Sequence, residues 1–210
     1  MSLLLYNHPY SSNALKVRFA LAELGLPYET KHVSLKQPRP DWYVAVNPFG
    51  RVPTLQDGDL VLPESNAIVR YLASRERRDD LYPSDPRTRA PIERAIDAWA
   101  TLVRPALFDF EASALFFPGS DPTGGPWERG DQDAIEQARA GAEPMLDAFE
   151  RVVADNATVV GRFSIAEFVV GPILWRASHL PLDLLRWPKL TKLLEAIEQR
   201  PSFEAAGPVR

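Results

Sequence analysis

The sequence predicts a chain in two parts: an α/β domain of order βαβ-ββα, then an all-α helical C-terminal domain. Three observations predict it. Short apolar or β-branched runs alternate with helical periodicity as far as Tyr71. Asp57-Gly58-Asp59 lies between two such runs as a tight-hairpin signal. Beyond Tyr71 no strand of any length is convincing, and long helical patterns take over. The expected division is a first domain over 1–77, a charged and proline-bearing linker over 78–88, and a helical domain over 89–210.

Taken in order, Leu3 to Tyr6 is a short apolar run suited to a buried strand, and Asn7 to Ser12 supplies polar and proline punctuation. From Asn13 to Leu24, Val17, Ala20, Leu21 and Leu24 recur at helical spacing, with Gly25 as the capping glycine. Tyr28 to Leu35 has the composition of a second strand, and Gln37 to Asn47 that of a loop with one irregular turn. Val52 to Gln56 and Leu60 to Leu62 form the hairpin, and Ser65 is expected to cap a helix carrying Ala67, Ile68, Tyr71 and Leu72 on one face. In the helical part, a helix from about Arg89 towards Phe117 must kink or break at Pro105, and one over Asp131 to Ala154 meets Pro144. Ser164-Ile165-Ala166-Glu167 reads as a capping box, and Lys189 to Arg200 as a last helix between Trp187-Pro188 and Pro201.

Composition removes several function classes. A chain of 210 residues, 45% hydrophobic, can bury a substantial core, so a globular protein is the expectation. The formal net charge of -4 offers no basic surplus for a phosphate backbone, which argues against nucleic-acid binding. Leu3 to Tyr6 is too short for a signal-peptide core, and no apolar run approaches the roughly 20 residues that span a bilayer, so a cytoplasmic protein is expected. Without cysteine there is no disulfide, thiolate metal site or cysteine nucleophile. His8, His32 and His179 show no metal-ligand spacing.

Three places carry candidate chemistry. The loop Asn7 to Asn13 delivers hydroxyls to the N-terminus of the first helix, where free N–H groups and the helix dipole favour an anion such as a thiolate beside Ser11. Taken alone, Ser11 and Ser12 read as ordinary N-caps. In Asn47 to Thr54, Pro53 at a strand entrance is compatible with a cis bond that turns the Val52 backbone outward to pair with a peptide ligand; an ordinary edge-strand proline is the commoner case. At the next helix start, Ser65 suits a carboxylate and Glu64 an ammonium group, the charge pair of an α-amino acid; a cap beside a solvated acid is the plainer reading.

Together these segments resemble the cytosolic glutathione transferase family over nearly the whole chain. The resemblance rests on Tyr10-Ser11-Ser12-Asn13 leading to Lys16-Val17, on Ala22 to Glu29, on Asn47 to Pro53, and on Glu64-Ser65-Asn66-Ala67-Ile68. Each is weak alone; in this order and spacing they are specific. The family's serine-type classes, theta-like, phi-like or bacterial, fit best. The resemblance implies a thioredoxin-like first domain binding glutathione as co-substrate, a helical domain completing a pocket for a small hydrophobic electrophile, and a homodimer in which Asp97 reaches the partner's site. It needs no cofactor and no metal.

It also implies roles. Ser11 would hydrogen-bond the glutathione sulfur, with Ser12 and Tyr6 as rivals, Tyr6 because tyrosine-type classes carry their catalytic group near the end of the first strand. Val52, ahead of cis-Pro53, would bind the cysteinyl backbone, Glu64 and Ser65 the γ-glutamyl group, and Arg39 and Arg51 the glycine carboxylate. Tyr10, Phe108 and Phe116 are candidates for the second-substrate wall, against a plain packing role. Ser11 is expected to donate a hydrogen bond rather than attack, because no Ser-His-Asp pattern accompanies it. Glu167 stands where the family usually has aspartate, which implies a local stability effect. The expected activity is a detoxifying glutathione transferase, with a glutathione-dependent isomerase, dehalogenase or peroxidase, or a non-catalytic binding protein, as alternatives.

Overall fold

The computed structural model describes residues 2–36, 38–114 and 132–209, with 112 and 113 described in their backbone alone. The first domain contains β1 (Leu3–Asn7), α1 (Ser12–Glu23), β2 (Tyr28–His32), a one-turn α2 (Asp41–Val44), β3 (Thr54–Asp57), β4 (Leu60–Pro63) and α3 (Ser65–Arg75). The sheet order is β2-β1-β3-β4, with β1 and β2 parallel and the other pairs antiparallel. This is the thioredoxin-like arrangement. The helical part contains α4 (Pro86–Ala98), α5 (Arg104–Ala114), α6 (Gln132–Glu150), α7 (Ile165–Ala177), α8 (Pro188–Glu198) and α9 (Pro201–Ala205).

Strand alternation divides the sheet. Leu3, Leu5 and Leu55 face the main core with α1 and α3, while Tyr6 turns to a second cluster with Val33, Tyr43 and Val52. α1 is buried on nearly every side because the sheet covers one face and α7 and α9 the other. Its start is fixed by Ser11, whose Oγ accepts from the Ala14 N–H at 3.2 Å. Its end is a Schellman turn: the Leu26 N–H donates to Leu21 O and the Gly25 N–H to Ala22 O, with Gly25 at φ 65°.

Several boundaries differ from the sequence expectation, among them the start of α4 at Pro86 rather than about Arg89. β2 ends at His32. Ser65 is the first helical residue of α3 rather than its cap, because Glu64 takes the cap position at φ 69° with no side-chain cap bond. Instead of breaking at Pro105, the helix widens into a π-helical segment, Trp99–Val103, between α4 and α5. Proline has no N–H to give the preceding turn, and a widened turn absorbs that loss. Pro201 opens α9 as its first residue as well as ending α8, which the sequence left as a stop. The Ser164 box is present: Ser164 Oγ accepts from the Ala166 N–H at 3.2 Å, and Glu167 accepts from the Ser164 N–H at 2.8 Å. Among the described residues no helix is long and apolar enough to cross a membrane.

Candidate active site

A cleft of about 890 Å³ opens between the two parts of the chain. The loop after β1 contributes Tyr10 to Asn13, the loop before β3 contributes Phe49 to Val52 with Arg39 behind it, and the π segment and α5 contribute Ala100, Arg104, Phe108 and Glu111.

The Ser11 loop is held by two buried arginines. Arg18 of α1 donates from Nη2 to Pro9 O at 3.1 Å, and Arg176 of α7 donates from Nη2 to Tyr10 O at 2.8 Å. Burial pushes both guanidinium pKa values down. Ser11 Oγ accepts from the Ala14 N–H at the positive end of α1, and its hydroxyl keeps a proton to donate. Tyr6 is elsewhere: its hydroxyl donates to Gln56 Oε1 at 3.0 Å, and it is not among the residues lining the cleft.

The second loop is organised by Asn47. Its Nδ2 donates to Arg51 O at 2.7 Å and to Thr54 Oγ1 at 3.2 Å, while the Tyr43 hydroxyl donates to Arg51 O at 2.6 Å. Gly50 turns the chain at φ 61°, and a Cβ there would come within 3.0 Å of Arg39 Cγ. The Val52–Pro53 bond is cis. Among the described residues no hydrogen bond takes up the Val52 N–H or C=O, so a strand-like backbone edge stands open at the cleft. Arg39 spends Nε on Gly50 O and Nη1 on Ser34 O, at 2.8 and 2.7 Å, holding the loop together, and Arg51 is exposed.

Glu64 and Ser65 lie outside the cleft lining. Next to them in sequence, Asn66 accepts through Oδ1 from Nζ of Lys16 of α1 at 3.3 Å, and Lys16 is only 3% exposed. Burial, and then the charge of Arg104, lower the Lys16 pKa to about 7, with Glu64 acting the other way. The Glu64 backbone at φ 69° is a conformation that a non-glycine residue holds at a cost of about 1–3 kcal/mol, typical of ligand-binding positions.

The structure therefore brings Tyr10, Ser11, Ser12, Arg39, Arg51, Val52 and Phe108 to one cleft. Pro53 follows Val52 in sequence, Glu64 and Ser65 are not part of the lining, and Phe116 lies outside the described residues. Among the described residues no cluster could hold a metal ion.

Residues 1–74 match the glutathione S-transferase N-terminal domain, and residues 95–201 the glutathione S-transferase C-terminal domain. The chain belongs to the cytosolic glutathione S-transferase family. It is 33% identical to glutathione S-transferase 3 of Zea mays over 213 residues, covering 96% of this chain and 91% of the relative. It is 29% identical to the maleylacetoacetate isomerase of Pseudomonas aeruginosa, covering 97% and 95%. Among solved structures, the theta class glutathione S-transferase of Xanthomonas axonopodis pv. citri with glutathione bound superposes with a TM-score of 0.86 at 27% identity, covering 100% of this chain and 98% of that one.

Sequence reasoning missed part of this transferase-family cleft. Arg104 donates from Nη1 to Glu111 Oε2 at 2.7 Å, and the Arg176 Nε lies 3.7 Å from Glu111 Oε1. The expected apolar pocket thus has a charged inner wall, with Phe108 at its rim, 49% exposed. One signal was available: Arg176 falls in a helix whose every residue from Ile165 to Ala177 is buried, a place for a cation only if it has partners.

Proposed function

We propose that this chain is a glutathione transferase in which the Ser11 hydroxyl donates a hydrogen bond to the glutathione sulfur and holds it as the thiolate, the thiol proton passing to solvent water. The reading is carried by one observation: Ser11, already accepting from the Ala14 N–H, shares a cleft with the open backbone of Val52. The cysteinyl backbone of glutathione would pair with Val52 beside cis-Pro53. Glu64 and Ser65 at the start of α3 would hold the γ-glutamyl ammonium and carboxylate, and Arg39 and Arg51 the glycine carboxylate. Tyr10 and Phe108 would form the rim of the second-substrate pocket.

The energetics close. A free thiol titrates near about 8.5, and lowering it by two units takes about 2.7 kcal/mol. A hydrogen bond to the charged sulfur supplies about 1.5–3 kcal/mol and a helix N-terminus about 0.3–1 kcal/mol. The thiolate then forms a sulfur–carbon bond as the leaving group departs with its electron pair. The same reading takes 1–77 and 89–210 as domains joined by 78–88, and a homodimer as the working unit, with exposed Asp97 a contact to the partner's site.

The test is glutathione binding by calorimetry together with the pH dependence of conjugation. Ser11→Ala is expected to leave glutathione affinity within about threefold, to lower kcat by about 10–100-fold, and to move the pH profile towards the free-thiol pKa. Unchanged turnover in Ser11→Ala, or no glutathione binding, sinks the proposal. A second reading is glutathione-dependent isomerisation, favoured by the likeness to a maleylacetoacetate isomerase over nearly the full chain. Turnover without consumption of glutathione distinguishes it.

A further inference from the structure

We propose that Arg104 is the specificity residue of the second-substrate pocket and that it recognises a carboxylate on the electrophile. The inference rests on the glutathione reading above and adds the chemical class of the acceptor.

The argument starts from charge. Glu111 is a carboxylate of the inner wall, buried to 5% exposure, and it faces two guanidinium groups, Arg104 at 2.7 Å and Arg176 at 3.7 Å. The triad therefore carries a net positive charge. The cleft lining repeats the sign, with Arg39, Arg51 and Arg104 against Asp109 and Glu111.

The two arginines of the triad differ in what they have left to offer. Arg176 gives Nη2 to Tyr10 O and is tied to the Ser11 loop. Arg104 lines the cleft, its guanidinium carbon 4.9 Å from the Phe108 ring centroid and its side chain 14% exposed. Among the described residues its guanidinium makes one hydrogen bond, from Nη1. The Nε and Nη2 edge remains, and that edge is the two-pronged donor that matches the two oxygens of a carboxylate. The bond to Glu111 and the contact with the Phe108 ring restrict the guanidinium, which lowers the side-chain entropy lost on binding. Phe108 at the rim would cover the apolar part of the same ligand.

Two glutathione conjugates that differ only in charge test the assignment: S-(para-carboxybenzyl)glutathione and its isosteric amide, S-(para-carbamoylbenzyl)glutathione. Calorimetry on the full chain needs no turnover. The carboxylate conjugate is expected to bind about tenfold tighter than the amide at neutral pH. In Arg104→Gln, where Glu111 keeps Arg176 as its partner, the preference should vanish while glutathione itself binds as before. Equal affinities for the two conjugates in the unmodified protein overturn the proposal, even where the variant fails to fold. So does a preference that survives in Arg104→Gln. A loss of glutathione affinity in folded Arg104→Gln overturns it by moving Arg104 to the glutathione subsite. If neither conjugate nor glutathione binds, the glutathione reading falls and takes this one with it.

Discussion

Lys16 is a cation held where water cannot solvate it, and its consequence is a stability that depends on pH. Its pKa falls to about 7 by burial and by Arg104, against an ordinary lysine value of 10.5 in the unfolded chain. Between those two values the unfolded chain binds more protons than the folded one, so stability rises with pH across that window. The full penalty is present below pH 7 and is gone above the unfolded value. The expected slope from this residue reaches about 1.4 kcal/mol per pH unit at its steepest. Denaturant unfolding of the unmodified protein and of Lys16→Met, from pH 7 towards 10, should show the advantage of the variant shrinking as pH rises; a constant difference counts against the assignment. Ser11 has two roles at the same scale, and they can be separated. Ser11→Ala should lose about 1 kcal/mol with the cap, whereas Ser11→Asp should keep the cap and yet abolish conjugation by setting a carboxylate against the thiolate. If Ser11→Asp retains conjugation, the donor role is wrong.

At the scale of elements, the start of α7 carries the clearest local energetics. Glu167, 1% exposed, accepts from the Val159 N–H at 2.7 Å and from both the N–H and Oγ of Ser164 at 2.8 and 2.9 Å. Burial raises its pKa, against the lowering effect of those donors. Glu167→Ala strands the donors and should cost about 2–4 kcal/mol, measured by chemical denaturation; Glu167→Gln keeps acceptor oxygen and should cost less. Equal losses in the two variants mean that packing, not acceptance, is the function of this residue. This box was legible in four consecutive residues, as were Gly25 and the hairpin, because caps and turns are chemistry between near neighbours. The π segment was not legible. Pro105 announces a missing N–H, and nothing local says how the turn absorbs it. Ser65 was misplaced by one residue because the cap position depends on the Glu64 backbone at φ 69°, which only the surrounding fold imposes. The candidate site divides the same way. Ser11, Val52 and Glu64-Ser65 are carried by short segments, but Lys16 with Asn66, and Arg104 with Glu111 and Arg176, meet only after helices distant in sequence have packed. Arg176 and Tyr10 are 166 positions apart.

Over the whole molecule, α1 belongs to both parts of the chain. Phe19 is fully buried, with its ring 4.9 Å from Phe168 of α7 and 5.2 Å from Phe203 of α9, both edge-on. Arg200 and Ser202 both donate to Glu23 at the end of the same helix. The first domain thus completes its core with side chains that lie far along the sequence. Cooperative unfolding of the two parts follows, because opening either one exposes the Phe19 face. Phe19→Ala should cost about 3–5 kcal/mol by loss of buried area and cavity formation. Hydrogen exchange read by mass spectrometry should show peptides from 1–77 and from 165–205 losing protection together in both the unmodified protein and the variant. The alternative outcome is specific: if 165–205 keeps its protection while 1–77 opens, the seam is a docking contact between independent domains. Affinity for the conjugates would then be limited by how often the two halves of the cleft are assembled.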